Sequence, residues 1–145
     1  MKIIKKIISA SIILTLFSFC ACENNHNNEH KEHPSEVEDI EGTDLSEVTL
    51  TAKAIERIGL QTELVTQIHG SPFRLVVPYS SILYDSQGRV WVYINPENRT
   101  FVRHEVKVDY IEGDRVYLTE GPPVGTKVIS VGVAEVYGAE FEVGH

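Results

Sequence analysis

Four apolar runs separated by short turns organise the chain between Arg89 and Val131. They read Arg89-Val-Trp-Val-Tyr-Ile94, Phe101-Val-Arg-His-Glu-Val-Lys-Val108, Asp114-Arg-Val-Tyr-Leu-Thr119 and, after the loop Glu120-Gly-Pro-Pro-Val-Gly125, Lys127-Val-Ile-Ser-Val131. The second run alternates with period two. Val102, His104, Val106 and Val108 fall on one face, and Phe101, Arg103, Glu105 and Lys107 on the other, which predicts a half-buried antiparallel sheet.

Upstream, Glu47–Leu50 reads as a strand, and Thr51 is placed to cap a short helix, Ala52–Ile58, that Gly59 ends. Ile55 and Ile58 give that helix a single apolar edge. Two turns cannot stand alone in water, so the helix is expected to plug the end of a barrel. Leu60–Ile68 reads as one strand, with Leu60, Thr62, Leu64, Thr66 and Ile68 on a common face. Phe73–Val77 resumes extended structure, and Pro78 marks an edge or a bend. Ser80–Tyr84 follows. Turns are expected at His69–Pro72, Asp85–Gly88, Asn95–Asn98 and Ile111–Asp114. About seven short strands and one short helix, so regularly punctuated, predict an all-β fold, a small closed or nearly closed β-barrel. No internal repeat and no long helix interrupt the pattern.

The N-terminus has a different character. Lys2, Lys5 and Lys6 precede an apolar run from Ile7 to Phe19, shorter than the ~20 residues of a membrane-spanning helix and the right size for a secretory signal. The two cysteines, Cys20 and Cys22, sit at its end, and Glu23-Asn-Asn-His-Asn-Asn28 follows. Residues 1–21 resemble a bacterial lipoprotein signal peptide. The resemblance implies lipid attachment at Cys22, which small Ala21 precedes, and hence a lipid-anchored protein in the periplasm of a Gram-negative bacterium. With no cysteine beyond Cys22, the folded part is expected to hold together without an internal disulfide.

Residues 22–45 contain little that is large and apolar besides Val37 and Ile40, and are expected to form a disordered tether before a domain spanning 46–145. His26, His30 and His33 lie in it, interleaved with Glu29 and Glu32. Spacings of four and three bring imidazoles to one face if a metal induces a helical turn, and neutral imidazole suits zinc, copper, nickel or cobalt. Without a fixed fourth ligand such a site is loose, and a plain hydrophilic spacer reads the same residues equally well. The formal charge of −8 becomes −11 once residues 1–21 are removed, since they hold three lysines and no acid. Such acidity argues against a nucleic-acid partner.

Several segments resemble one family. Glu47-Val-Thr-Leu-Thr51 with the short helix and Ile58-Gly-Leu-Gln-Thr62 is similar to the entry of periplasmic adaptors (membrane fusion proteins) of resistance-nodulation-division efflux pumps. Val76-Val-Pro-Tyr-Ser-Ser-Ile-Leu83 resembles the return to their membrane-proximal domain. Gly88–Ile94, Phe101–Val108 and Gly113–Gly132 resemble the strands that follow and the closing hairpin. Ala134–His145 is most similar to the heavy-metal branch. A full adaptor carries a helical hairpin, a lipoyl-like module and a β-barrel domain between the two halves. Here only about ten residues join Val65 to Val76.

The resemblance implies a membrane-proximal-like β-barrel standing alone. It also implies a non-enzymatic accessory role in a heavy-metal cation efflux system, docking on the pump subunit or its full-length adaptor. The alternative is a metal-binding or metal-delivery lipoprotein using the histidine-rich tether. An enzyme fits least well. Arg103, His104 and Glu105 alternate across a strand and cannot form a dyad, and Ser80 and Ser81 lack a nucleophile elbow.

Overall fold

A computed structural model describes residues 33–68 and 73–142. The first sheet contains β1 (Ser35–Asp39), β2 (Ser46–Leu50), β3 (Gln61–Leu64), β6 (Leu83–Tyr84), β7 (Val90–Glu97), β8 (Thr100–Glu105) and β11 (Lys127–Val131). Its order is β1-β2-β8-β7-β11-β3, with β6 paired to β7. The second sheet contains β4 (Thr66–Ile68), β5 (Arg74–Pro78), β9 (Lys107–Glu112) and β10 (Arg115–Glu120), in the order β4-β5-β10-β9. Every pairing is antiparallel. Two short helices, α1 (Ala52–Ile58) and α2 (Val133–Glu142), complete a mostly β fold, as the all-β expectation holds.

Two runs expected as single strands change sheet midway. Leu60–Ile68 breaks at Val65, between β3 and β4, and Phe101–Val108 breaks at Val106, between β8 and β9. At these corners the inward side chain decides. Val65 and Val106 are 1% and 3% exposed, and both lie in a core shared by the two sheets with Leu75, Val92, Val116 and Val128. Their backbone amides donate to Thr126 O at 2.8 Å and Val90 O at 2.9 Å, so the bend leaves no buried amide unpaired. The single strand expected over Leu60–Ile68 is therefore corrected: Val65 turns inward at the break, while Leu64 and Ile68 are exposed.

The first sheet is buried on both faces. Away from the shared core, Val48, Leu50, Tyr93, Phe101 and Ile129 pack with Ala54 of α1 and Val136 of α2. Burial on β7 and β11 is accordingly continuous, through Trp91-Val-Tyr93 and Val128-Ile-Ser130. The half-buried pattern expected for Phe101–Val108 fails here for the same reason, since Phe101 and Arg103 are covered. Helix α1 begins and ends as expected: Thr51 Oγ1 accepts from Ala54 N at 3.1 Å, and Gly59 closes it at φ 67°. Its place differs from the barrel-end plug, because it lies over the helix-covered side of the first sheet.

Three further expectations are corrected. The tether assigned to 22–45 gives way to structure at Ser35, because Ser35–Asp39 pairs along the whole of β2, from Ser35↔Leu50 to Asp39↔Ser46. The turn expected at Asn95–Asn98 moves later, since β7 continues to Glu97 and the chain reverses through Asn98 and Arg99, the latter at φ 65°. The C-terminal stretch, given no element from sequence, forms α2. Gly132, at φ 99°, turns the chain out of β11, and its carbonyl accepts from Val136 N at 3.1 Å. Among the described residues no helix is long and apolar enough to cross a membrane.

Candidate functional site

Both faces of the first sheet are covered; on the outer face of the second, Val76 is buried and Tyr117 half-buried, and Tyr110 is exposed at the β9 side. Leu75, Val77, Val116 and Leu118 point to the shared core, so their neighbours along β5 and β10 face outward. Across that face Thr66, Val76, Tyr117 and Tyr110 stand in one row from β4 to β9. The rings of Tyr110 and Tyr117 stack with centroids 4.3 Å apart and planes 10° from parallel, and Tyr117 donates to Glu112 Oε2 at 3.4 Å. Burial and the Glu112 carboxylate raise the Tyr117 pKa, so its hydroxyl keeps its proton as a donor.

Ion pairs border this row on both sides. Arg74 Nε lies 2.6 Å from Asp109 Oδ2, and Arg115 Nη1 lies 3.1 Å from Glu63 Oε2. At the end of β9, Lys107 Nζ lies 2.8 Å from Glu120, whose hydrogen bond and then charge raise the lysine pKa. Leu64, Ile68, Phe73, Tyr79 and Ile111, all on or beside these strands, are exposed large apolar side chains. Exposed aromatic and apolar side chains thus lie beside ion pairs along these strands.

The opposite side of the molecule is fastened and not open. Arg103 Nε donates to Glu140 Oε1 at 2.9 Å, Tyr93 OH donates to Glu140 Oε2 at 2.5 Å, and the Arg103 guanidinium carbon lies 4.9 Å from the Trp91 ring and 5.1 Å from Phe141. The Arg103 and Glu140 side chains are 6% and 2% exposed. Desolvation and the neighbouring Glu140 carboxylate push the Tyr93 hydroxyl far above its ordinary pKa. Nearby, Asp85 accepts from Trp91 Nε1 at 3.0 Å, Arg89 Nε at 2.7 Å and the amides of Gln87 and Arg89. Burial alone would raise its pKa, but these four bonds outweigh it and hold the carboxyl well below the usual range. The arrangement pins α2 and the β6–β7 turn to the first sheet.

No family model, curated protein or solved structure matches the chain.

Of the residues singled out in the sequence, Cys22, His26 and His30 lie outside the described residues. His33 is exposed and, with Ser35 and Glu135, borders a shallow groove of about 570 Å³ between α1 and α2, floored by Leu50, Ala54 and Gly138. Among the described residues no three His, Cys, Asp or Glu side chains converge to hold a metal. His104 is half-buried opposite Val92, and burial lowers its pKa. Trp91 and Tyr93 are packed in the interior. Sequence reasoning missed the Tyr110–Tyr117 stack, because it depends on the register of β9 with β10, and the Arg103–Glu140 pair, because its members are far apart in the chain.

Proposed function

We propose that the chain is an accessory periplasmic lipoprotein of a heavy-metal cation efflux system, docking through the outer face of the second sheet on the pump subunit or its full-length adaptor. The reading starts from the resemblance of residues 46–145 to the membrane-proximal domain of such adaptors. In that reading the two sheets would be parts of one small barrel; what supports it is that β3 runs on into β4 and β8 into β9 across the two sheets, with a core shared between them. Cys22 would carry the lipid.

The observation that carries the reading is the β4–β5 hairpin. Ile68 pairs with Arg74 and Thr66 with Val76, so the chain returns at once where a full adaptor departs into its bridging modules. What remains is a docking piece with an aromatic face and no bridging modules. The test is chemical cross-linking in cells, followed by mild extraction of a tagged chain. A resistance-nodulation-division pump subunit or adaptor should co-purify, and Tyr110→Asp with Tyr117→Asp should abolish the complex. Recovery of the chain alone, with unchanged metal tolerance after gene deletion, would overturn the proposal.

A further inference from the structure

We propose that β9 is an edge through which two copies of this chain pair in a two-fold antiparallel dimer, a contact that shares Tyr110 with the docking face but needs no docking partner to form. Five strands have a single partner among the described residues: β1, β3, β4, β9 and the two-residue β6, which is too short to serve. Charges and length separate them. Strand β1, Ser35-Glu-Val-Glu-Asp39, carries acids and no base, so a second copy would be repelled. Strands β3 and β4 have four and three residues. Strand β9 has six, Lys107-Val-Asp-Tyr-Ile-Glu112, with both signs of charge at its ends.

The strand is complementary to itself. With Lys107 opposite Glu112 of the second copy, Val108 meets Ile111 and Asp109 meets Tyr110, each pair occurring twice about the axis. In a regular strand this register fails, because residues three apart, such as Val108 and Ile111, point to opposite faces. A bulge removes the obstacle. Val108 opposes Leu118 but Tyr110 opposes Tyr117, so Asp109 is an extra residue. Asp109 reaches Arg74 and Tyr110 stacks on Tyr117, both on the outer face. Val108 packs against the shared core, and Ile111 lies opposite buried Val116, both on the inner face. Each pair thus shares a face.

Tyr110 and Ile111 are 43% and 47% exposed and would be covered. Edge charges and bulges ordinarily keep strands apart; here they keep out other strands and admit an identical one. A six-residue edge makes a small interface, so the dimer is weak, with a dissociation constant in the micromolar range.

The test is sedimentation equilibrium of the full chain in density-matched non-ionic detergent, with circular dichroism to verify folding. Wild type should show a reversible monomer–dimer equilibrium. Glu112→Lys turns two attractive pairs repulsive and should weaken it about tenfold, and Lys107→Glu with Glu112→Lys should restore it to within about threefold. A wild type that stays monomeric up to about 1 mM, far above the micromolar range expected of such an interface, overturns the proposal. So does a dimer indifferent to Glu112→Lys, or one that a folded double variant does not recover.

Discussion

Replacing Glu140 by alanine should remove a large part of the stability of the fold. The carboxylate is almost fully enclosed and accepts from Arg103 Nε at 2.9 Å and Tyr93 OH at 2.5 Å. Its loss leaves a guanidinium that is 6% exposed without a counter-charge, caught between Trp91 and Phe141. Breaking one side of a buried pair costs about 3–5 kcal/mol, to be set against a total of about 5–15 kcal/mol for a domain. In urea, with a slope of about 1–3 kcal/mol per molar, the midpoint should fall by roughly 2 M. Arg103→Met combined with Glu140→Leu removes both charges and keeps the volume, so it should recover most of the loss. Tryptophan fluorescence reports the transition, because Trp91 lies against Arg103. A cost below about 1 kcal/mol for Glu140→Ala, or a double variant no better than the single, would refute the claim that this pair fastens α2.

Four further outcomes follow from the same structure. Gly132→Ala should destabilise by about 1–3 kcal/mol, because a Cβ there would lie 2.7 Å from Ile58 Cγ2 at φ 99°; Gly138→Ala, helical with nothing within 4 Å, should stabilise by about 0.5–1 kcal/mol. Thermal melts of the two variants should move in opposite directions. Asp85, whose folded pKa is lowered, contributes stability that is present above its unfolded pKa of about 4 and lost as pH falls below it, so Asp85→Asn should flatten the acid limb of a pH–stability curve. His104 must be charged in the unfolded chain before it is charged in the fold, so stability should fall as pH drops through about 6.5, and His104→Gln should remove that slope. Finally, if the tether histidines form a metal site, calorimetric titration with zinc, copper or nickel should give binding that the triple change of His26, His30 and His33 to alanine abolishes. Equal binding by both chains would dismiss the site.

Local chemistry was legible in the sequence and long-range cover was not. Thr51 and Gly59 announce both ends of α1, because a capping hydroxyl and a left-handed glycine act within one turn. The alternation from Phe101 to Val108 correctly signals extended structure, but period two says nothing about what lies over each face. Helix α2 supplies that cover, and its own face hides it from a hydrophobic reading. Val133, Val136, Tyr137 and Glu140 stand at helical spacing, yet the fourth is an acid and Gly138 interrupts the run. Arg103 and Tyr93, both distant in the chain, make Glu140 an interior residue. The corners at Val65 and Val106 were invisible for a related reason, since a strand that changes sheet keeps its sequence pattern unbroken. Similarly, Ser35–Asp39 is polar enough to pass for spacer, and joins the fold because β2 offers it a partner edge.

The early start of β1 also fixes a working radius. If Cys22 is embedded in a bilayer, twelve residues separate it from Ser35, and such a length reaches at most about 40 Å when drawn taut. The reach therefore spans one leaflet's immediate neighbourhood and not a cell-envelope gap. Under such an anchor, β1 itself would stay within that distance of the lipid headgroups.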